Sequence, residues 1–376
     1  MASIVLIFCD SGTPSAASIL RTDERLTPAI RAKSSPDHRS IAFAALICAD
    51  TIDIYRFIYD TISVFSRFPM NQHTSNQALT VLLAHIEGAY APNTIRAYRT
   101  DMLEFIDYCC KNDTISLPTT SATVASFLMQ TMDQGIKTST IRRKVASISS
   151  VHRLSGYNDP TKHPEVKITL RKISRHLGCR FDQAYPVTRP ILNELIKACS
   201  QDLRGLRNKA LLLIAYDSLR RRSELVSLRI SDIDWLPSQT CSILLRKSKT
   251  DQHGSGQWIH LGTETTAALR QWIFESKIAD GYLLRGIHPS GEITASLCES
   301  RIPRIYKSLA KQAGLSEEAI SGISGHSMRV GRAQDLMVQG ASLPQIMVKG
   351  GWAKTDTVMR YVERIRTSPI SKLELD

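Results

Sequence analysis

The sequence lacks the features that mark several common classes of protein. Its eight cysteines include no Cys-x-x-Cys pair, which disfavours zinc and redox motifs and suits the reduced thiols of a cytosolic protein. The longest early apolar run, IAFAALICA, is far shorter than the roughly 20 residues that span a bilayer. SIVLIF near the start lacks the basic segment of a signal peptide, and no Walker motif suggests ATP chemistry.

Acidic residues are too few to balance the basic ones. The chain has 48 Lys and Arg against 35 Asp and Glu, a net charge of +13 and a pI of about 9.4. Such an excess favours a polyanionic partner, with nucleic acid ahead of an anionic membrane surface.

Most of this excess lies in one segment. Between residues 137 and 180, eleven basic residues against two acidic ones leave a net charge of +9. A solvated helical face would carry interspersed acids, so we expect this segment to contact the DNA backbone, with Arg142, Arg143 and Lys144 among its DNA-binding residues. Such contacts supply affinity and salt dependence rather than sequence choice.

The length of 376 residues favours two domains. We predict an N-terminal extension of unassigned role, a helical domain, a linker and a C-terminal domain, at 1–73, 74–180, 181–188 and 189–376. The loop-like composition of the extension leaves flexibility open, and one hypothesis makes Met70 the physiological start, with 1–69 dispensable for DNA binding.

Helical periodicity dominates from about residue 74. In APNTIRAYRTDMLEFIDYCC, apolar side chains recur at steps of three and four and form one stripe: Ile95, Tyr98, Met102, Phe105 and Cys109. Two strand-like runs, TCSILLR and QWIHLG, are joined by KSKTDQHGSG, whose glycines mark a turn. The fold class predicted is mainly α with a small β-hairpin or sheet.

Four short motifs concentrate residues suited to phosphodiester chemistry. LRRRSEL follows an apolar helix, RKSKT lies in the hairpin, GHSMRVGRAQDL contains a His-x-x-Arg pair, and GGWAKTDTVMRYV ends in a tyrosine. Arginine can grip two phosphate oxygens, while histidine and an indole N–H can donate further hydrogen bonds. A tyrosine hydroxyl can attack phosphorus, and a lysine can protonate the leaving oxygen.

In this order the motifs resemble the catalytic domain of the tyrosine recombinases, particularly the Cre-like members. The preceding helical region, with NTIRAYRTDMLEF, is similar to the family's core-binding domain, and together the resemblance covers about 80% of the chain. It implies a two-domain architecture, and a site-specific recombinase or integrase that cleaves and rejoins DNA through a 3′-phosphotyrosyl intermediate without metal, ATP or another cofactor.

The resemblance also implies a role for each matching residue. In the family, the first arginine precedes a glutamate by three residues, in an R-x-x-E pattern. Glu224 therefore selects Arg221 as the arginine that grips the phosphate, and Glu224 itself orients the site. Lys249 matches the general acid, with Lys247 as its rival. His326, Arg329 and Trp352 match the remaining phosphate donors, and Tyr361 matches the nucleophile. Arg220 and Arg222 exceed what the motif requires.

Partners and alternatives follow from the same resemblance. The expected partner is double-stranded DNA that carries inverted-repeat sites. A homotetramer is expected to bind these sites, and no membrane partner is expected. A C-terminal segment with Ile370, Leu373 and Leu375 as anchors would dock on a neighbouring copy. The expected location is cytoplasmic, or nucleoid-associated in a bacterium. Two alternatives stay open: a type IB topoisomerase-like or resolving enzyme, and a catalytically inactive DNA-binding regulator. A metal-dependent nuclease would need clustered carboxylates, which the motifs lack.

Overall fold

The computed structural model describes residues 72–178, 182–248, 251, 254–363 and 365. These residues form two compact units, one within 1–180 and one within 181–376. The hypothesis about Met70 and nearly all of the predicted extension lie outside the described residues. No helix in the described ranges has both the length and the apolar content that a membrane span needs.

In the described part of the first unit, five α-helices pack around one apolar core. They are α1 (Gln72–His85), α2 (Pro92–Lys111), α3 (Ser121–Asp133), α4 (Thr138–Leu154) and α5 (Pro164–Leu177). The stripe predicted on α2 faces this core: Met102, Phe105 and Cys109 are buried, and Ile95 and Tyr98 pack against its edge. The predicted stripe is therefore confirmed.

The second unit surrounds a central helix that is apolar on nearly every face. Its helices are α6 (Arg189–Lys197), α7 (Leu203–Ser218), α8 (Arg222–Ser227), α9 (Thr263–Ser276), α10 (Ile302–Gln312), α11 (Glu317–Gly322), α12 (Ser327–Val338), α13 (Leu343–Gly350) and α14 (Thr355–Val362). Seven consecutive residues of α7, 210–216, are buried, as expected of a helix covered on all sides.

A small antiparallel sheet interrupts the helices of the second unit. Its strands are β1 (Ile233–Trp235), β2 (Cys241–Leu245) and β3 (Gln257–Leu261), in the order β1-β2-β3. The predicted hairpin is β2-β3, with Ile243 opposite Ile259. Strand β1 was not predicted, because three residues are too few to show an alternating pattern.

A second, smaller apolar cluster joins four elements at the place where the sequence motifs converge. It consists of Leu219, Ala333, Ile346, Trp352 and Val358, which follow α7 or lie on or beside α12, α13 and α14. We call it the site cluster. Tyr361 packs against it with part of its surface exposed.

Candidate active site

The three arginines of LRRRSEL follow a residue in the left-handed backbone conformation. Helix α7 ends at Ser218, and Leu219 follows with φ 54° and ψ 29°. A bulky residue in this region is strained and persists only where its surroundings hold it. Leu219 is fully buried in the site cluster, so packing supplies that constraint.

The first arginine is a structural tie. Arg220 is buried, and its guanidinium donates to the Gln257 side chain at 3.0 Å and to the Lys349 carbonyl at 2.5 Å. These partners belong to β3 and α13. Arg220 therefore fixes the end of α7 to two other elements of the second unit.

The second arginine is held by the glutamate that the R-x-x-E pattern singles out. Glu224 accepts from the Arg221 backbone N–H at 2.9 Å and from its guanidinium at 2.7 Å. Burial alone would raise the pKa of Glu224, but these bonds and the charges of Arg221 and Arg329 lower it overall. The carboxylate stays ionised and orients Arg221, whose side chain remains 23% exposed.

Arg329 is the most deeply buried of the motif cations that the structure describes. It is buried on α12, donates to the Gly350 carbonyl at 2.9 Å, and lies over the Trp352 ring at 4.4 Å. Its Nη1 is buried and has no hydrogen-bond partner among the described residues. Burial lowers the pKa of Arg329 to about 10, and the nearby Arg221 acts in the same direction. At neutral pH the group is still a cation.

The two glycines before Trp352 make room for this arrangement. A Cβ on Gly350 would lie 2.0 Å from the Trp352 ring, so only glycine lets the indole fold back. Gly351 adopts φ 63°, and a Cβ there would lie 2.9 Å from the Arg220 guanidinium. The GGW sequence is therefore the local requirement for bringing the indole beneath Arg329.

Trp352 in turn contacts Tyr361. The two rings meet edge to face, with centroids 5.8 Å apart and an interplanar angle of 66°. Arg221 and Glu224 form one contacting pair, and Arg329, Trp352 and Tyr361 form a contacting series. The two groups are near enough for the charges of Arg221 and Glu224 to act on Arg329. The structure brings together these five of the seven residues that the sequence assigned to catalysis.

Of the other two residues assigned to catalysis, the structure describes His326 but not Lys249. His326 is exposed and immediately precedes α12, one turn before Arg329. Arg222, the third arginine of LRRRSEL, lies against this end of α12. A Cβ on Gly325 would be 1.9 Å from its Cδ. Lys249 lies outside the described residues, whereas its rival Lys247 is exposed beside Gly254 in the β2–β3 connection.

Comparison with known protein families decides what this site belongs to. The Phage integrase family matches residues 187–366, and the Phage integrase N-terminal SAM-like domain matches residues 83–155. The chain belongs to the tyrosine recombinase family. Every element that carries the site lies within the first of these two matches.

Individual relatives agree. The Integrase/recombinase xerD homolog of Selenomonas ruminantium is 28% identical over 74% of this chain and 84% of its own length. Recombinase Cre of Escherichia phage P1 is 26% identical over 74% of the chain and 85% of its own length. XerH, solved with palindromic difH in a post-cleavage complex, shares the fold: TM-score 0.58, 18% identity, 82% of this chain and 91% of that one. The chain is a member of a family of site-specific DNA recombinases, with the helical two-domain architecture that the sequence predicted.

The basic segment of the recombinase is less uniform than its composition suggested. Arg142 is exposed and donates to Ser174 on α5 at 3.1 Å. Arg143 pairs with buried Asp101 at 2.9 Å. Lys144 is buried, pairs with Glu104, and lies 5.5 Å from the centre of a phenylalanine ring. Both acids come from α2, so a charge count along 137–180 could not include them.

Sequence reasoning missed two further groups of polar residues. A cleft of the second unit is lined by four arginines and no acidic residue: Arg204, Arg207, Arg301 and Arg304. Gln183 and Gln334 contact the backbone of Tyr361. No spacing pattern pointed to these residues, because they come from segments that only the fold brings together. Within the described ranges, no three His, Cys, Asp or Glu side chains lie close enough to hold a metal ion.

Proposed function

We propose that Tyr361 is the nucleophile with which this recombinase cleaves and rejoins DNA. The tyrosine hydroxyl releases its proton as its oxygen attacks a phosphodiester, forming a 3′-phosphotyrosyl bond while the bond from phosphorus to the 5′ oxygen breaks. That oxygen takes a proton and leaves as a 5′-hydroxyl. A 5′-hydroxyl from another strand reverses the step, so the number of phosphodiester bonds is conserved and no ATP is consumed.

One observation carries the proposal. The buried Arg329 has an N–H without a hydrogen-bond partner among the described residues, and its guanidinium lies over the Trp352 indole. The same indole contacts the Tyr361 ring. A buried cation with a spare donor costs free energy unless an anion satisfies it. A scissile phosphate bound there would meet that need and would lie beside the Tyr361 side chain.

The remaining site residues act on the same phosphate. Arg221, held by Glu224, binds its non-bridging oxygens together with Arg329, and fixed cations of this kind stabilise the charge that develops in the transition state. His326 and the Trp352 indole N–H supply further hydrogen bonds. Lys249 protonates the 5′ oxygen as it leaves, and Lys247 is the rival for that task.

DNA binding is distributed over both units. In the first unit, exposed basic side chains of α4 and α5, including Arg142, contact the backbone, with Arg143 and Lys144 closer to their acidic partners. In the second, the cleft lined by four arginines offers donors without a competing carboxylate. These contacts are electrostatic and independent of base sequence.

We further propose that the recombinase acts on inverted-repeat sites as a homotetramer, located in the cytoplasm on the nucleoid. Two strands must be cut and exchanged at each of two sites, which four identical nucleophiles provide. The anchors Ile370, Leu373 and Leu375 lie outside the described residues. Mass photometry of complexes on DNA flanking the gene should give four copies for two sites, and a single copy per complete site would contradict it.

A covalent trapping assay tests the chemistry. The protein is incubated in EDTA with a nicked duplex from which the cleaved end diffuses away, and the adduct is resolved on a denaturing gel. Wild type should accumulate the adduct and Tyr361→Phe should not. Tyr282→Phe, at another partly buried tyrosine, is the matched control and should behave as wild type. An adduct that survives Tyr361→Phe would refute the assignment.

A further inference from the structure

The backbone carbonyl of Tyr361 is an unusual acceptor. It lies in the last turn of α14, where helical carbonyls have no partner along the helix. The amide of Ile365, four residues further on, donates to Val362 instead, at 3.0 Å. Among the described residues, the donors to the carbonyl of the proposed nucleophile are side chains from other segments.

Two glutamine side chains meet this requirement from two different segments. Gln334 on α12 donates through Nε2 at 2.8 Å, and Gln183 donates through Nε2 at 3.1 Å. A carbonyl oxygen has two lone pairs, so it can accept both bonds. Both amides therefore point at one atom of the residue that carries the nucleophile.

Each glutamine is itself held in place. Gln334 is 7% exposed and lies five residues after Arg329 on the same helix. Gln183 belongs to the segment before α6, which is fixed by backbone hydrogen bonds from Tyr185 to the Gly322 carbonyl and from Val187 to the Ser327 carbonyl. The two amides thus connect Tyr361 to the helix that carries Arg329 and to the segment by which the chain enters the second unit.

Helix α14 depends on such external contacts. It has eight residues, fewer than the roughly 12–15 that an isolated helix needs for even marginal stability. Of its residues, Val358 alone is buried in the site cluster. Tyr361 adds a partly exposed contact with the same cluster through the Trp352 ring, and hydrogen bonds to the last turn of the helix add a restraint of a different kind.

We propose that Gln183 and Gln334 are positioning residues that clamp the carbonyl of Tyr361 and so aim its hydroxyl at the phosphate held by Arg329. Neither side chain touches the DNA in this role. The inference rests on the proposed function of Tyr361 as nucleophile. Near-attack geometry tolerates little displacement, so loosening the clamp slows chemistry while leaving DNA binding intact.

Single-turnover cleavage of the nicked duplex at saturating DNA tests the clamp. Gln334→Met and Gln183→Met keep the side-chain length and remove the donor. Each should lower the rate constant of adduct formation about three- to tenfold, as expected for one hydrogen bond. The amplitude of the reaction and the Kd for DNA should stay within twofold. Gln271→Met, at an exposed glutamine of α9, is the matched control.

Rate constant and amplitude separate positioning from folding. A variant that merely folds poorly loses reacting molecules and therefore amplitude, whereas a misaimed nucleophile reacts completely but slowly. Loss of amplitude at an unchanged rate constant would overturn the clamp. Because the two donors share one carbonyl, each can partly replace the other. The double variant should therefore lower the rate constant of adduct formation by more than the product of the two single fold-changes. A simply multiplicative effect would show that the glutamines act independently.

The outcomes also separate this inference from the proposed function. If Tyr361→Phe still forms the adduct, the nucleophile is misassigned and the clamp falls with it. If Tyr361→Phe abolishes the adduct but both methionine variants and their double cleave at the wild-type rate constant, the clamp alone is wrong.

Discussion

Three consecutive arginines of one short segment have three different environments. Arg220 is buried and bonded to β3 and α13, Arg221 is paired with Glu224 and partly exposed, and Arg222 lies against Gly325. Composition makes the three residues equivalent, whereas the left-handed turn at Leu219 and the glutamate at i+3 make them distinct. Of the three, Arg221 is the one with a glutamate partner, a partly exposed side chain and a charge that acts on Arg329.

Substituting these arginines one at a time should separate their roles. Arg221→Ala removes a transition-state donor, and we expect adduct formation to slow by about a hundred- to a thousandfold, or about 3–4 kcal/mol. Arg222→Ala should cleave within a few fold of wild type. Single-turnover trapping at saturating DNA measures both. Normal cleavage by Arg221→Ala with loss in Arg222→Ala would shift the assignment by one residue.

The two lysines of RKSKT can be separated by the chemistry of the leaving group. A substrate with sulfur in place of the scissile 5′ oxygen leaves as a thiolate and needs no proton, since thiols have a pKa near 8.5. We expect Lys249→Ala to cleave normal DNA slowly and the sulfur-containing DNA at nearly the wild-type rate. Lys247→Ala should cleave both normally. Rescue confined to Lys247→Ala would exchange the two assignments, and Arg221→Ala, which should not be rescued, is the control.

At the scale of helices, buried pairs explain why a run of basic residues need not be a uniform DNA-binding face. Lys144 and Arg143 follow Arg142 directly, yet their partners Glu104 and Asp101 lie on α2, about forty residues earlier in the chain. Helix periodicity places Lys144 on the same side as buried Ile141 and Ile148. Its ammonium therefore has to be satisfied inside the first unit.

Helix α4 provides a direct comparison between neighbouring cations. Lys144→Met leaves the Glu104 carboxylate without its partner, and we expect the free energy of unfolding of the first unit to fall by about 1–3 kcal/mol. Arg142→Met changes an exposed side chain and should stay within about 0.5 kcal/mol. Thermal and urea unfolding measure these differences. Equal stability of the two variants, with weaker DNA binding in Lys144→Met, would make Lys144 a DNA contact instead.

The elements themselves were largely predictable, and their junctions were not. Periodicity and caps located helices such as α2, α4 and α5, because a one-sided apolar stripe depends only on local spacing. The residues of GGW, His-x-x-Arg and R-x-x-E were found through their resemblance to a family. The bonds from Arg220 to Lys349 and from Gln183 to Tyr361 span more than a hundred residues, and the bond from Gln334 to Tyr361 joins two different helices, so no local pattern could predict them.

At the scale of the whole molecule, charge and chemistry are divided between the units. The segment with a net charge of +9 lies within the first unit, while the proposed catalytic residues all belong to the second. Backbone contacts set affinity, and the site residues set the rate once DNA is bound. Substitutions in the basic segment of the first unit and in the catalytic residues of the second should therefore change different measured quantities.

Helix α5 allows this division to be tested in the intact recombinase. Lys167, Arg171 and Arg175 are exposed and spaced four residues apart, so they share one face of the helix. Replacing all three with Gln should raise the Kd for DNA and reduce the slope of log K against log salt by about three, one for each lost phosphate contact. The rate constant of adduct formation at saturating DNA should not change.

The matched control removes the same charge from scattered exposed positions, Lys111, Lys197 and Lys277. If the whole-molecule field alone governs binding, both triple variants should weaken it equally. Direct contact by α5 instead predicts a much larger change in slope for the α5 variant. Tyr361→Phe should show the reverse behaviour, with unchanged Kd and slope and no adduct. A fall in the cleavage rate constant of the α5 variant at saturating DNA would contradict the division, because it would make the first unit part of the chemical step.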